Sequence, residues 1–210
     1  MNLLEKNELL IKHLTSVGAL KTPNVIEAFK ETPRHLFVRK DYLNNAYDDI
    51  PLPTYRGQTI SQPYTVAIMT EALEPKLGEK ILEIGAGSGY QAAILGRCVG
   101  TKGKIITIEL EKDLVENSKE NIKKVKLKNV KIIRGDGKLG YTKEAPYDKC
   151  IITAACDRVP DSIFKQVKVG GTIVVPVNAF LGQKMLVIIK ISETEFKTKD
   201  IGSFVFVPLR

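Results

Sequence analysis

Cysteine, histidine and long apolar runs are scarce in this 210-residue chain. Its three cysteines, Cys98, Cys150 and Cys156, are odd in number, show no C-x-x-C spacing, and sit in or beside apolar segments. That pattern argues against a disulfide framework and for buried free thiols in a reducing compartment. Only two histidines are present, His13 and His35. Neither has a second His or Cys at ligand spacing or a nucleophile in view, so no metal site is expected and both read as structural. No hydrophobic run approaches the roughly twenty residues that cross a bilayer. Met1-Asn2-Leu3-Leu4-Glu5-Lys6 lacks the basic stretch and apolar core of a secretion signal, so a cytoplasmic protein is expected. Repeats and low-complexity tracts are missing too. With 43% hydrophobic and 27% charged residues, the composition suits one globular domain over 1–210.

The net charge is +8. Lys112, Lys119, Lys123, Lys124, Lys126, Lys128 and Lys131 gather in one helix and the loop after it, with no aromatic residue between them to stack on a base. The cluster reads as a solvated helix face, and no specific nucleic-acid partner is expected.

The most informative stretch is Lys80 to Tyr90. Ile81, Leu82 and Ile84, bounded by Gly78 and Gly85, read as a short interior strand. Gly85, Gly87 and Gly89 then permit a sharp turn and remove the Cβ atoms that would keep a ligand from the backbone. Gln91 to Leu95 continue as a helix. This is the first strand–turn–helix unit of a doubly wound sheet, a fold that binds ligands at the carboxyl ends of its strands. A dinucleotide fingerprint needs its third glycine at position 90, which is Tyr90. The spacing therefore favours a nucleoside without a pyrophosphate, although an ordinary strand–helix turn would also use glycine. Two further strands add to it. Lys104 to Glu109 ends in a carboxylate 24 positions after Gly85, where it can accept from both ribose hydroxyls. Val130 to Gly137 ends in Asp136 between glycines, placed to meet the exocyclic amine of an adenine.

The N-terminal part, residues 1–75, is mainly helical. Leu3, Leu4, Leu10, Leu14 and Val17 give an amphipathic helix over 3–17 that ends at Gly18. Thr22 and Pro23 open a second, with Thr22 as its cap. Residues 41–63 are too long and too rich in proline and turn residues for a plain connector, and loops of this kind are functional or disordered. Ile50, Leu52, Tyr55 and Ile60 argue against disorder. Ser61 either caps the helix that follows or serves the site. In the second part, 76–210, further strands are expected at 148–153, 172–177, 184–191 and 203–207, with a helix at 160–167. The last two strands lack a helix between them and should be antiparallel neighbours. The fold class is α/β: a doubly wound, Rossmann-like, mostly parallel sheet with an antiparallel C-terminal strand and helices on both faces.

Gly85-Ala86-Gly87-Ser88-Gly89, Glu109 and Gly135-Asp136-Gly137 resemble the Rossmann-like S-adenosylmethionine-dependent methyltransferases. The resemblance narrows at Gly57-Gln58-Thr59-Ile60-Ser61-Gln62-Pro63-Tyr64, preceded by Pro33-Arg34-His35-Leu36-Phe37-Val38. These segments are similar to the protein-L-isoaspartate (D-aspartate) O-methyltransferase family. The likeness continues through Ala145-Pro146-Tyr147-Asp148, Ile152-Thr153-Ala154-Ala155, Val159-Pro160, Lys168-Val169-Gly170-Gly171 and Phe206-Val207-Pro208-Leu209, nearly the whole chain. It implies a protein repair enzyme that methylates the free carboxylate of L-isoaspartyl residues in damaged proteins and peptides, with return to aspartyl through a succinimide. The donor would be S-adenosyl-L-methionine and the product S-adenosyl-L-homocysteine. Contacts to the donor are implied for Thr59, Ile60, Ser61, Gly85, Ala86, Gly87, Gly89, Glu109, Leu110, Asp136 and Gly137. Thr59, Ser61 and Val207 would meet the peptide, and Ser61 would carry the chemistry. A monomer is expected. A nucleic-acid methyltransferase would share the donor, but the chain has neither an Asn/Asp-Pro-Pro-aromatic motif nor a Pro-Cys pair. A non-catalytic binding protein would have no need of the intact Gly, Glu and Asp series, and Tyr90 disfavours a nicotinamide oxidoreductase.

Overall fold

The computed structural model describes residues 1–210. α1 (Leu3–Ser16) starts at a capping box, in which Asn2 Oδ1 accepts the Leu4 and Glu5 N–H groups and Glu5 accepts the Asn2 N–H. α2 (Pro23–Lys30) opens on proline as expected, but Thr22 does not cap it with its side chain. The Thr22 hydroxyl donates to Glu71 at 2.7 Å instead, and the same carboxylate takes the Lys21 and Thr22 N–H groups at 2.8 Å. A charged acceptor on a neighbouring helix wins over the local cap.

The irregular stretch is ordered by short elements. Residues Arg34–Leu36 and Lys40–Asn45 are 3-10 turns. β1 (Leu52–Pro53) and β2 (Thr59–Ile60) form a small antiparallel hairpin with Leu52 opposite Ile60. α3 (Pro63–Leu73) follows. The remaining elements are β3 (Lys80–Ile84), α4 (Tyr90–Val99), β4 (Lys104–Glu109), α5 (Lys112–Lys124), β5 (Val130–Arg134), β6 (Tyr147–Ile152), α6 (Asp161–Gln166), β7 (Val167–Ala179), β8 (Gly182–Lys190) and β9 (Phe196–Phe204).

The seven-stranded sheet has the order β5-β4-β3-β6-β7-β8-β9. Strands β3 to β7 are parallel; β8 is antiparallel to β7, and β9 to β8, so β8 alone runs against the rest. Two expectations need correction. The last strand is Phe196–Phe204, not 203–207, because it is a charged edge strand whose exposed Lys197, Lys199 and Asp200 hide its alternation. The helix expected at 160–167 is shorter, and Val167 already belongs to β7. Lys190, 2% exposed, stabilises that junction by donating to the Phe164 and Val167 carbonyls and pairing with Glu193.

Alternation along the central strands divides the core. Leu82, Ile84, Ile106, Ile108, Cys150 and Ile152 pack with Ile163 on one face of the sheet. Ile81, Ile105, Ile151 and Val174 pack with Met69 and Leu73 of α3 and Leu95 and Val99 of α4 on the other. Each such side chain contributes roughly 1.5–3 kcal/mol by leaving water. A third cluster joins Leu14, Val25 and Phe29 of the N-terminal helices to Tyr90, Ile94 and Cys98 of α4. The N-terminal part thus rests on the helix that starts at the glycine turn.

Candidate active site

Strand order reverses between β3 and β6, so their carboxyl ends open the crevice where open α/β sheets bind ligands. Gly85 follows β3 and Thr153 follows β6. The Thr153 N–H donates to Ile84 O at 3.0 Å, and its hydroxyl lies 2.8 Å from Gly85 O and 3.0 Å from Ile84 O. A Cβ on Gly85, whose φ is +94°, would stand 2.5 Å from that hydroxyl. Gly87, at φ +52°, has nothing within 4 Å of where its Cβ would be. The turn is therefore held tightly from beneath and left open above, a cradle for a ligand that approaches the backbone.

Glu109, at the end of β4, fastens this cradle. Its Oε2 accepts the Gly87 N–H at 2.9 Å and its Oε1 the Glu111 N–H at 3.0 Å. Each oxygen keeps a second lone pair, so the carboxylate can still accept hydroxyl groups from a ligand. Behind it lies Glu83, wholly buried in β3 opposite Thr107, with no hydrogen bond of good geometry to either carboxyl oxygen. Burial, with the negative charge of Glu109 nearby, pushes the Glu83 carboxyl up to about 8 despite Thr107. It is thus largely a neutral acid at pH 7.

Two clefts meet here. The first encloses about 950 Å³, its open mouth included, and is bordered by the glycine turn, Glu109, Gln91 and Gly137. The second, about 1000 Å³, runs between Pro51, the start of α3 and the extended segment 203–207. Thr59, Ser61, Thr153 and Val207 border both. Ala155 fixes the Val207 wall, donating its N–H to Val207 O at 2.8 Å and accepting the Leu209 N–H at 2.7 Å. Ser61 does not cap α3, whose cap residue is Gln62, and its hydroxyl has no partner within the protein. No His, Lys or Cys borders either cleft. His35 instead meets the Tyr47 hydroxyl at 2.5 Å, and the three thiols are buried, Cys98 pushed up to about 12 and Cys156 to about 11 by burial.

Of the residues singled out from the sequence, Thr59, Ile60, Ser61, Gly85, Ala86, Gly87, Glu109, Leu110, Gly137 and Val207 border the first cleft. Gly89 and Asp136 do not. Gly89, at φ +86°, starts α4 and packs on α5, where a Cβ would come 3.3 Å from Ser118 Cβ. Asp136 Oδ1 caps its own turn by accepting the Lys138 N–H at 2.8 Å, which leaves Oδ2 free beside Gly137. Thr153 was not singled out. Its signal was its place, the residue just past a central strand at the crevice.

The profile of the family described as Protein-L-isoaspartate(D-aspartate) O-methyltransferase (PCMT) matches residues 5–210. A Protein-L-isoaspartate O-methyltransferase of Ignicoccus hospitalis is 44% identical over 205 residues, 98% of this chain and 97% of that one. One of Methanopyrus kandleri is 43% identical over 203 residues, 96% of this chain and 90% of that one. A solved protein-L-isoaspartate O-methyltransferase superposes with a TM-score of 0.88 at 32% identity, covering 96% of this chain and 65% of the other. A Plasmodium falciparum structure, a putative member solved in complex with S-adenosyl-L-homocysteine, shares the fold with a TM-score of 0.87 at 23% identity over 97% of this chain and 98% of that one. A profile match over nearly every residue, on a sheet whose crevice carries the glycine cradle and Ser61, settles the kinship: this chain belongs to the protein-L-isoaspartate (D-aspartate) O-methyltransferase family.

Proposed function

We propose that this chain transfers the methyl group of S-adenosyl-L-methionine to the free carboxylate of L-isoaspartyl residues in damaged proteins and peptides. The observation that carries this reading is the meeting of two clefts at Thr59, Ser61, Thr153 and Val207. One is an open cradle over glycine backbone with a carboxylate at its rim; the other is walled by extended chain, a shape suited to a peptide.

The residues present fit the donor. Gly87 leaves open space where a Cβ would block it. Glu109 has lone pairs to spare for the ribose hydroxyls, Ala86 and Leu110 border the same space, and Asp136 Oδ2 is free for the adenine amine. Gly89 supports the turn from behind. Bound there, S-adenosyl-L-methionine supplies an electrophilic methyl on a positive sulfonium and departs as neutral S-adenosyl-L-homocysteine. The acceptor carboxylate is already ionised near pH 7, so no general base is needed, and neither cleft is bordered by His, Lys or Cys. What the chain contributes is position. The unpartnered Ser61 hydroxyl donates a hydrogen bond to one carboxylate oxygen and holds the other toward the first cleft. Thr59 and Val207 flank the peptide. Esterification makes the carboxyl carbon a better electrophile, so the neighbouring backbone amide nitrogen can attack it, lose its proton and expel methanol to close a succinimide, and hydrolysis of the ring restores some aspartyl. Both clefts lie within one chain, which supports action as a monomer.

The test is methyl transfer from labelled donor to two peptides that differ only in isoaspartyl or aspartyl at one position. Base-labile label on the isoaspartyl peptide alone is expected; label on both or neither overturns the assignment. Ser61→Ala should keep S-adenosyl-L-homocysteine binding and lose roughly 10- to 100-fold in kcat, the scale of a lost orienting contact. Unchanged turnover would remove Ser61 from its role.

A further inference from the structure

The Ser61 hydroxyl has no partner, so only its backbone can set its position. Upstream, Ile60 pairs with Leu52 in the small hairpin. Downstream, α3 begins with a proline, and its first free N–H belongs to Tyr64. That group would be an orphan donor at the helix start. Asp49 takes it: Oδ1 accepts the Tyr64 N–H at 2.8 Å, while Oδ2 accepts Gln62 Nε2 at 3.2 Å. One carboxylate, 12 residues upstream of Ser61, thus grips the chain one and three residues beyond it. It replaces the missing local cap, and its negative charge suits a helix N-terminus.

Asp49 is itself held. Tyr47, two residues before it, meets His35 Nδ1 at 2.5 Å, and Ile50, the next residue, accepts from Arg34 Nη2 at 3.4 Å. Arg34 is wholly buried, stands 5.2 Å from the centre of the Tyr90 ring, and has Asp49 among the charges that favour its cationic form. Tyr90 is the first residue of α4, directly after the glycine turn. A continuous series of contacts therefore links the nucleoside cradle to the residues around Ser61.

We infer that Asp49 is a positioning residue for Ser61: it fixes the start of α3 so that the serine hydroxyl points where the two clefts meet. This rests on the role given to Ser61 above. Asp49 borders neither cleft, so its effect must pass through the chain it grips.

A double-mutant cycle tests it. Asp49→Ala in the wild-type background should lower kcat on an isoaspartyl peptide 10- to 100-fold, with affinity for S-adenosyl-L-homocysteine within twofold of wild type. In a Ser61→Ala background the same change should cost less than twofold, because the group it positions is gone. Asp49→Asn keeps an acceptor for the Tyr64 N–H and should retain kcat within about threefold; it also serves if the alanine variant does not fold. Equal losses in both backgrounds, no loss in either, or an asparagine variant as impaired as alanine would overturn the inference. Amide hydrogen exchange provides the independent readout. The Tyr64 amide should exchange at least tenfold faster in Asp49→Ala, with the rest of α3 unchanged; unchanged protection at Tyr64 overturns the inference whatever the kinetics show. A wild-type enzyme inactive on isoaspartyl peptides would discard the reading of Ser61, and Tyr64 exchange would still report whether Asp49 holds the helix start.

Discussion

On the sheet side of the cleft, Gly85, Glu109 and Gly137 stand at or just past the ends of β3, β4 and β5, so strand register alone places them. On the loop side, Ser61 stands between a two-residue strand and a proline-started helix, and its surroundings depend on Asp49 and Arg34, 12 and 27 residues upstream. The first side is a backbone construction closed by packing; the second is tied by side chains reaching across sequence. They should fail differently. The sheet side breaks when an atom is added, the loop side when a charged group is taken away.

The largest effect should come from adding one methyl to the cradle. Gly85→Ala places a Cβ 2.5 Å from Thr153 Oγ1 at a φ of +94°. Left-handed strain costs about 1–2 kcal/mol and overpacking about 1–3 kcal/mol more. Stability should fall by about 2–5 kcal/mol, and affinity for S-adenosyl-L-homocysteine by about 100-fold if some 3 kcal/mol of it falls on the bound state. Gly57→Ala is the partner experiment, since Gly57 also has positive φ, +70°, but nothing lies within 4 Å. It should cost only the strain, about 1–2 kcal/mol, with binding little changed. Denaturant melts and calorimetry on both variants decide; equal damage at the two glycines would erase the distinction between the sides.

A smaller effect tests whether the sheet side is built for stability at all. Glu83 titrates near 4.5 when unfolded and at about 8 when folded. Its folded pKa is raised, so the stability it allows is fully present below about pH 4.5 and is lost progressively as pH climbs through about 8. Near pH 7 the burial already costs on the order of 3 kcal/mol, at 1.36 kcal/mol per pKa unit. Glu83→Gln removes the titration while keeping the shape. The variant should be more stable than wild type by about 3 kcal/mol at pH 7 and about 4 kcal/mol at pH 8, and indistinguishable near pH 4. Unfolding midpoints that run parallel across that range would mean that Glu83 is ionised in the fold.

The same contrast explains what could be read in advance. Lys80 to Ile84 and Lys104 to Glu109 match their strands residue for residue, because interior parallel strands are continuous apolar runs and end in turn chemistry. The edge strand at Phe196–Phe204 was misplaced, since one exposed, charged edge carries no such run. At the site, Gly85, Glu109 and Ser61 were legible from spacing and resemblance. Gly89 and Asp136 stand outside the lining because local geometry claims them: one starts a helix against Ser118, the other caps its own turn. Thr153 and Asp49 needed the tertiary fold. Thr153 matters through β3, which neighbours its own strand in the sheet but lies 68 residues away in sequence, and the grip of Asp49 on Tyr64 follows no sequence period.

The smallest effect lies at the tip of the hairpin. Arg56 has a positive φ, +57°, without being glycine, and pairs with Asp113 of α5 through Nε at 2.8 Å and Nη2 at 2.7 Å. Both side chains are well exposed, 60% and 45%, so the pair contributes under about 1 kcal/mol. The left-handed backbone costs about 1–2 kcal/mol in any residue with a Cβ. The two contributions oppose each other, and two substitutions separate them. Arg56→Ala keeps the strain and loses the pair, so it should lower the melting temperature by about 2–4 °C at most, the shift of about 1 kcal/mol in a chain of this size. Arg56→Gly loses both the pair and the strain, and should melt at or slightly above wild type. Its gap from Arg56→Ala should persist in high salt, which screens the ion pair but not the backbone strain. If the glycine variant instead falls below alanine, the left-handed backbone at Arg56 is not strained; if alanine melts with wild type, the ion pair is not what holds the tip, and the contrast between a packed cradle and a side-chain-tied loop would need another basis there.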